Sequence, residues 1–285
     1  MTNDTLPISS PVGLVAGGGV LPFAVGEALT ARGVTPVIFA IQGFCDPVAV
    51  ARFKHHWISL GQLGRLTRLL RAENCRDLAF IGTLIRPALS EIRLDWGTLR
   101  VLPRVWAAFR GGDDHLLSSV GRLLEKDGFR LIGVKDLAPD LLMPAGCLTR
   151  AAPDADAAAD IAKGCEVLRA LGPFDIGQAV VVIDGHVVGV EGIEGTDALL
   201  ARIAQLRTDG RIRAKTKRGV LVKMPKRGQD LRFDLPTTGL NTVEGVIAAG
   251  LAGLATVAGH TIVADPQPMI EAADRAAVFV TGLPA

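Results

Sequence analysis

The sequence lacks the residues on which most nucleic-acid-binding proteins depend. It contains no tyrosine, and aromatic residues make up only 5% of its 285 positions. Proteins that bind single strands stack bases on aromatic side chains, and proteins that bind duplexes carry a marked excess of positive charge. Because the formal net charge is only +2, the composition argues against nucleic acid as a partner.

The usual metal-binding and redox patterns of cysteine and histidine are also missing. The four cysteines form no CxxC pair, and the five histidines show neither HxH nor HxxxH spacing. A zinc site is therefore not predicted. We expect reduced, buried cysteines of a cytosolic protein at the following positions: Cys45, Cys75, Cys147 and Cys165.

No stretch is typical of a membrane-spanning helix or a signal peptide. Residues 1–11 have neither a basic region nor an apolar core. The longest mildly apolar run, residues 246–259, falls short of the ~20 residues that a spanning helix needs. This run predicts a buried helix. The protein is expected in the cytoplasm, with a peripheral contact at the inner membrane left open.

An alternation of strand-like and helix-like segments fills the first half of the chain. The predicted strands cover residues 12–16, 35–41, 78–81 and 130–134, and the predicted helices cover 23–31, 61–73 and 116–126. Such alternation is typical of a mostly parallel sheet covered on both faces. The proline- and glycine-containing residues 136–149 predict a junction, which divides the chain into domains 1–137 and 138–285.

The second half combines hairpin signals with helices and predicts a distinct α/β or α+β domain. Asp184-Gly185, between two apolar runs, is a strong signal for a two-residue hairpin. Thr196 is expected to cap one helix, and Asn241 with Glu244 resembles a capping box for another.

Residues 228–237, GQDLRFDLPT, alternate charged and apolar side chains. If the segment is extended, Asp230, Arg232 and Asp234 share one face. Six basic residues lie just upstream, between 215 and 227, and carboxylates beside positive charge suit an anionic substrate such as a phosphate ester. A solvated strand face is the alternative. Residues four apart on a strand lie ~13 Å from each other, so Asp230 and Asp234 can share a metal only if the segment bends.

A glycine turn follows the first predicted strand. Gly17, Gly18 and Gly19 would let backbone N–H groups approach a phosphate at a helix N-terminus. Pro22 replaces the third glycine of a dinucleotide fingerprint, and no acidic residue follows the second strand to hold a ribose. A redox dinucleotide is therefore disfavoured, while an anionic or sugar ligand and a ligand-free turn both remain open.

Two acidic loops each allow two interpretations. Gly112 and Asp113 lie in a GGDD sequence that is either a binding loop or a helix cap. Residues 191–197, EGIEGTD, place Glu191 and Asp197 where a strand leads into a helix. Such carboxylates either bind a hard cation such as Mg²⁺ or belong to a capped helix.

Together these segments resemble a known enzyme family. VGLVAGGGVLP, GGDD, DIGQAVVV, EGIEGTD, GQDLRFDLPT and AGLAG occur in the order and spacing of the LpxI-type UDP-2,3-diacylglucosamine pyrophosphatases of lipid A biosynthesis. The resemblance spans residues 12–282. It implies a Rossmann-like N-terminal domain, a distinct C-terminal α/β (α+β) domain and a ligand cleft between them. It also implies Mg²⁺-dependent hydrolysis to UMP and 2,3-diacylglucosamine 1-phosphate (lipid X), with water attacking the β-phosphorus.

The resemblance also implies roles for individual residues. An acid in the family's QDxRFDxP motif is taken as essential, which here implies Asp230 as the catalytic carboxylate, with Asp234 second. The candidate Mg²⁺ ligands are Asp230, Glu191 and Asp197. Lys223 and Arg232 are expected to hold phosphate. The full set of candidate substrate-binding residues is Gly17, Gly18, Gly19, Gly112, Asp113, Thr196, Lys223 and Arg232.

Two other functions are weighed against this one. A nucleotide-sugar transferase or dehydrogenase would use the glycine turn, but Pro22 and the missing ribose-binding acid count against it. A non-catalytic carrier of a lipid or nucleotide sugar would need the cleft but not the acids. A homodimer is left open.

Overall fold

The computed structural model describes residues 8–83, 95, 113–214, 217–226, 230, 232 and 235–284, without the side chains of 113–117. These residues form two compact units. The first ends at Asp140 and also includes Asp230 and Arg232, and the second contains the rest of the chain from Leu141 onward. A parallel sheet in the first unit and a mixed sheet in the second confirm the predicted α/β class.

A five-stranded parallel sheet forms the centre of the first unit. Its strands are β1 (Val12–Ala16), β2 (Pro36–Ile41), β3 (Lys54–Ile58), β4 (Asp77–Ile81) and β5 (Arg130–Leu131). They lie in the order β3-β2-β1-β4-β5 and all run parallel. Every residue of β1, β2 and β4 is buried, as expected where helices cover both faces of a parallel sheet.

Helices connect these strands. They are α1 (Leu21–Ala31), α2 (Pro47–Val50), α3 (Leu63–Ala72), α4 (Asp113–Lys126) and α5 (Val134–Leu137). α1 ends just before Gly33, which adopts a φ of +75°, a left-handed termination that favours glycine. The sequence did not predict β3, because this edge strand is mostly only half-buried and therefore lacks an apolar run.

A six-stranded mixed sheet forms the centre of the second unit. Its strands are β6 (Gly146–Cys147), β7 (Ala179–Ile183), β8 (His186–Val190), β9 (Val220–Lys223), β11 (Gly253–Val257) and β13 (Phe279–Leu283), and β10 (Thr237–Thr238) pairs separately with β12 (Ile262–Val263). The order is β6-β13-β11-β9-β7-β8. β7 is antiparallel to both β8 and β9, and β9 is parallel to β11. The carboxyl ends of β8, β9 and β11 therefore lie at the same edge of the sheet.

Four helices accompany this sheet in the described part of the second unit. They are α6 (Ala155–Leu171), α7 (Gly195–Thr208), α8 (Leu240–Ala248) and α9 (Pro266–Ala276). Asp154 caps α6 by accepting a hydrogen bond from the amide of Ala157 at 2.8 Å. The predicted hairpin is confirmed, because Asp184 and Gly185 both have positive φ angles, 48° and 76°, which the tight two-residue turn requires.

The prediction of one buried helix over residues 246–259 is wrong. α8 ends at Ala248, and β11 begins at Gly253. Gly250, with a φ of +64°, ends the helical path. β11 is fully buried between β9 and β13, so pairing with two neighbouring strands overrides the helix-like composition of the run.

Two smaller predictions are also wrong. α8 begins at Leu240 without a side-chain cap, so the chain is already helical at Asn241, where the capping box was expected to start. Cys147 is exposed, whereas Cys45, Cys75 and Cys165 are buried. Cys147 lies on the edge strand β6, which has a neighbouring strand on one side only.

Candidate active site

Asp230 and Arg232 form a turn in the first unit. The Asp230 carboxylate accepts a hydrogen bond from the Arg232 backbone amide at 3.1 Å, the contact that defines an Asx turn. It also accepts hydrogen bonds from the guanidinium, through Nε at 3.0 Å and Nη2 at 2.8 Å. The extended strand on which the face-sharing prediction depended is not found at these two residues, because the aspartate side chain binds the backbone two residues on. The two side chains nevertheless contact each other.

Helix α4 binds the other side of the Arg232 guanidinium. Nη1 of Arg232 donates to Oε1 of Glu125 at 2.8 Å, so the guanidinium bridges two carboxylates. The hydrogen bonds from Arg232 hold the pKa of Asp230 below its usual value, and those to Asp230 and Glu125 raise the pKa of Arg232. Both groups therefore remain ionised at neutral pH. The Asp230 side chain is 31% exposed, which leaves the anion accessible to a ligand.

Glu191 is a buried carboxylate at the carboxyl end of β8, with 6% of the residue exposed. Its Oε2 accepts a hydrogen bond from the amide of Gln178 at 2.9 Å, and its Oε1 accepts one from the hydroxyl of Thr196 at 3.0 Å. The prediction that Thr196 caps α7 is wrong. That helix begins at Gly195 without a side-chain cap, because the threonine hydroxyl binds the glutamate instead.

Lys223 is the buried last residue of β9, with 3% of its surface exposed. Its Nζ donates to the carbonyl oxygen of Thr237 at 2.8 Å. The next residue, Met224, donates its amide to the carbonyl oxygen of Gln178 at 2.9 Å. Gln178 thus connects the Glu191 side chain to the chain that follows β9. These residues meet at the carboxyl ends of β8 and β9, an edge at which open α/β sheets commonly place ligand sites.

The glycine turn of the first unit is closed by backbone pairing. The amide of Gly17 donates to the carbonyl of Ile81, and the amide of Gly18 donates to that of Thr83, each at 2.8 Å. A Cβ atom on Gly17 would lie 2.6 Å from the Thr83 carbonyl oxygen, so close packing requires glycine there. These two amides already have acceptors. Around Gly19, by contrast, no atom of the described residues lies within 4 Å of a Cβ position.

Two comparisons with known proteins bear on these residues. Sequence models of the LpxI N-terminal and C-terminal domains match residues 11–141 and 144–281. The chain is also similar to the UDP-2,3-diacylglucosamine pyrophosphatase LpxI of Caulobacter vibrioides, with 39% identity over 272 residues, which cover 95% of this chain and 97% of the relative. The chain belongs to the LpxI family. The resemblance found in its motifs is thereby confirmed.

The two LpxI domain matches meet near the division between the compact units. The N-terminal match ends at residue 141 and the C-terminal match begins at 144, and the continuous part of the first unit ends at Asp140. Asp230 and Arg232 are the exception. They lie within the span of the LpxI C-terminal match but belong to the first compact unit.

The three predicted magnesium ligands are divided between the two compact units of this LpxI-family structure. Asp230 belongs to the first unit, whereas Glu191 and Asp197 belong to the second. Throughout the described ranges, no group of three His, Cys, Asp or Glu residues is placed to hold a metal ion. Both oxygens of Glu191 already accept hydrogen bonds. Mg²⁺ needs only one or two protein carboxylates when substrate phosphates complete its shell, and the partly exposed Asp230 fits that role.

Some predicted site residues fall outside the described part of the chain. They are Gly112 and Asp234. Asp113 is the first residue of α4, but its side chain is not described. The predictions for these residues therefore remain predictions. Within the described part, no helix is long and apolar enough to cross a membrane.

The structure adds two residues that the sequence did not single out. Glu125 binds Arg232, and Gln178 binds Glu191 through its backbone amide. For Gln178 a signal was present, because Gly177 precedes it directly in the motif DIGQAVVV. A Cβ atom on Gly177 would lie 2.1 Å from the Glu191 carbonyl oxygen, so this glycine allows the close approach of the two segments. Glu125 has no such signal, since it is one of several charged residues on an amphipathic helix.

Proposed function

We propose that this protein hydrolyses the pyrophosphate bond of UDP-2,3-diacylglucosamine in lipid A biosynthesis. Membership of the LpxI family and the activity named for the Caulobacter vibrioides relative support the proposal. The structural observation that carries it is the pair of Asp230 and Arg232, an ionised, partly exposed carboxylate against a guanidinium. Such a pair suits hydrolysis of a phosphoric anhydride, because the carboxylate can orient water while the guanidinium neutralises charge on the phosphate oxygens.

The proposed reaction adds one water molecule across the anhydride. The water oxygen bonds to the β-phosphorus, on the sugar side, while the bridging bond from that phosphorus breaks. The products are UMP, which keeps the bridging oxygen, and 2,3-diacylglucosamine 1-phosphate, which gains the water oxygen. The protons of water are shared between the two products and the solvent.

Arg232 is the proposed ligand of the diphosphate. Its planar guanidinium contacts both oxygens of Asp230, and the same geometry matches two phosphate oxygens. Substrate would therefore compete with Asp230 for Arg232. When the guanidinium turns to the phosphate, the Asp230 carboxylate loses these hydrogen bonds and becomes available to bind Mg²⁺ and to orient the attacking water.

Mg²⁺ is the proposed cofactor, with Asp230 as its proposed ligand within the described part of the chain. The ion would neutralise charge on the diphosphate oxygens. Glu191 is a poorer ligand than the sequence predicts, because displacing the hydrogen bonds that it accepts from Gln178 and Thr196 would leave two partly buried donors unpaired.

The acyl chains of the proposed substrate favour a site of action at a membrane surface. Each CH₂ group that a lipid buries in a bilayer contributes ~0.8 kcal/mol, so such a substrate stays in the membrane until a protein binds it. We propose a cytoplasmic protein in peripheral contact with the inner membrane. Sedimentation with anionic vesicles tests this contact, and light scattering in solution tests whether the protein forms a homodimer, which the sequence leaves open.

The decisive experiment is hydrolysis of UDP-2,3-diacylglucosamine in ¹⁸O-enriched water, with Mg²⁺ or with EDTA. We expect UMP to be released only with Mg²⁺ and the label to appear in the lipid phosphate. Label in UMP would agree with the proposed hydrolase activity but would reject attack at the β-phosphorus. Full turnover in EDTA would reject the cofactor. Tight lipid binding without any turnover would overturn the hydrolase in favour of a carrier.

A further inference from the structure

Between Lys223 and Thr237 the chain passes out of the second unit and returns to it, and Asp230 and Arg232, which lie between these residues in the sequence, belong to the first unit. Residues 224–236 are termed the excursion. The excursion starts after β9 and ends at β10. Lys223 is the last residue before it, and Thr237 is the first residue after it. The hydrogen bond from Lys223 Nζ to the Thr237 carbonyl, at 2.8 Å, joins residues 14 apart in the sequence. It therefore closes the base of the excursion.

A second set of hydrogen bonds holds the departing end. Met224 donates its amide to the Gln178 carbonyl at 2.9 Å. Gln178 in turn donates its own amide to Glu191 at 2.9 Å, and the other Glu191 oxygen accepts from Thr196. The buried carboxylate thereby fixes Gln178, and Gln178 fixes the first residue of the excursion.

The returning end is held by packing and by the backbone. Leu235 is buried, with 8% of its surface exposed. The carbonyl of Pro236 accepts a hydrogen bond from the amide of Ile262 at 2.8 Å. The Thr237 carbonyl, which accepts the hydrogen bond from Lys223, belongs to the residue that directly follows Pro236. The two ends of the excursion are therefore bound to each other as well as to the second unit.

We propose that Lys223 and Glu191 are positioning residues, which act on the reaction by fixing both ends of residues 224–236 and hence the place of Asp230. The inference rests on the proposed function and replaces phosphate binding by Lys223 and metal binding by Glu191. Both side chains are buried and direct their polar atoms to the protein itself. Burying a charge is unfavourable unless it is well hydrogen-bonded, and such buried networks specify one local geometry.

The test compares Lys223→Met with Lys163→Met. Lys163 is a matched control because its Nζ also donates to a backbone carbonyl, that of Gly185, in the hairpin between β7 and β8. For Lys223→Met we expect faster amide hydrogen exchange within residues 224–236 and a kcat lowered by roughly 10- to 100-fold, since a displacement of about 1 Å can have an effect of that size. KM should change less than about twofold, because no substrate contact is lost. Lys163→Met should change neither exchange in this segment nor kcat.

Glu191→Gln, which keeps the size of the side chain, is the second variant if Lys223→Met does not fold. It should also speed exchange within residues 224–236 and lower kcat with little change in KM. A raised KM with unchanged kcat and unchanged exchange would overturn the proposal and favour a direct phosphate contact. If the wild-type protein hydrolyses no UDP-2,3-diacylglucosamine, the proposed function fails. The exchange measurement then still decides whether these residues hold the segment.

Discussion

Two turns, one in each compact unit, are closed by different chemical groups. In the first unit, the amides of Gly17 and Gly18 donate to backbone carbonyls of the β4 end. In the second unit, the buried carboxylate of Asp160, with 2% of the residue exposed, accepts from the amides of Asp184 and Gly185 at 3.1 and 2.7 Å. The glycine turn thus relies on close backbone contact, and the β7–β8 turn relies on a buried carboxylate.

The comparison separates groups that hold the fold from groups that can react. Glycine turns and buried acids both resemble ligand sites in a sequence, yet here the polar atoms of both are bound by the backbone. Asp230 differs, because three of its four hydrogen bonds come from the guanidinium of Arg232. A phosphate can compete with Asp230 for that guanidinium, whereas a ligand cannot easily replace the backbone hydrogen bonds of a neighbouring strand.

The largest effect on stability is expected at the glycine turn. Gly17→Ala places a methyl group 2.6 Å from a backbone carbonyl oxygen, and we expect the free energy of unfolding to fall by ~3 kcal/mol. Gly19→Ala meets no atom of the described residues within 4 Å, but the positive φ of this residue should still lower stability by ~1 kcal/mol. Urea unfolding measures both. Equal losses would show that close packing is not what distinguishes Gly17.

A smaller loss of stability is expected at the buried carboxylate of the second unit. Asp160→Ala leaves the amides of the β7–β8 turn without an acceptor, and the free energy of unfolding should fall by ~2 kcal/mol. Asp156→Ala is the control, because its carboxylate pairs with Arg218 at the surface, where its side chain is 65% exposed. The control should lose less than ~1 kcal/mol. Similar losses in thermal or urea unfolding would show that burial of Asp160 does not matter.

The smallest predicted change is a shift of the acidic limb of the pH profile of kcat/KM. Arg232 lowers the pKa of Asp230, so the wild-type kcat/KM should stay flat down to about pH 4, near the ordinary aspartate pKa. In Arg232→Met the limb should move to higher pH, because the pKa of Asp230 returns upward. Glu125→Gln keeps the pair and should leave the limb in place. An unmoved limb in Arg232→Met would show that another group sets it.

The free energy of unfolding should also fall as the solution becomes more acidic. Because the pKa of Asp230 is lower in the folded protein, the unfolded chain binds more protons near pH 4. The contribution of Asp230 to stability is therefore fully present above the ordinary aspartate pKa, about 3.9. It is lost as the pH falls through the lowered value.

Local signals in the sequence predicted much of the fold. The apolar run of β1 and the Asp184-Gly185 hairpin each depend on residues within a few positions, and both are confirmed. β11 was missed because its strand conformation comes from β9 and β13, which are distant in sequence.

The candidate site was predicted less completely than the fold. The motif singled out Asp230 and Arg232, but period two could not reveal that the aspartate binds the backbone amide of Arg232 and forms a turn. Nor could it reveal that Glu125, 107 residues away, binds the same guanidinium. Lys223 and Glu191 were predicted as ligands, but a backbone carbonyl accepts a hydrogen bond from Lys223 and a backbone amide donates one to Glu191. Such backbone partners leave no signature in side-chain identity.

The central claim, that turnover depends on Asp230, is tested most directly by UMP release from UDP-2,3-diacylglucosamine by Asp230→Asn. The control is Asp175→Asn, an acid that pairs with Lys226 and has a 65% exposed side chain. We predict a fall in kcat of ~10³-fold for Asp230→Asn, with lipid binding retained, and unchanged turnover for Asp175→Asn. Wild-type turnover by Asp230→Asn would contradict the account.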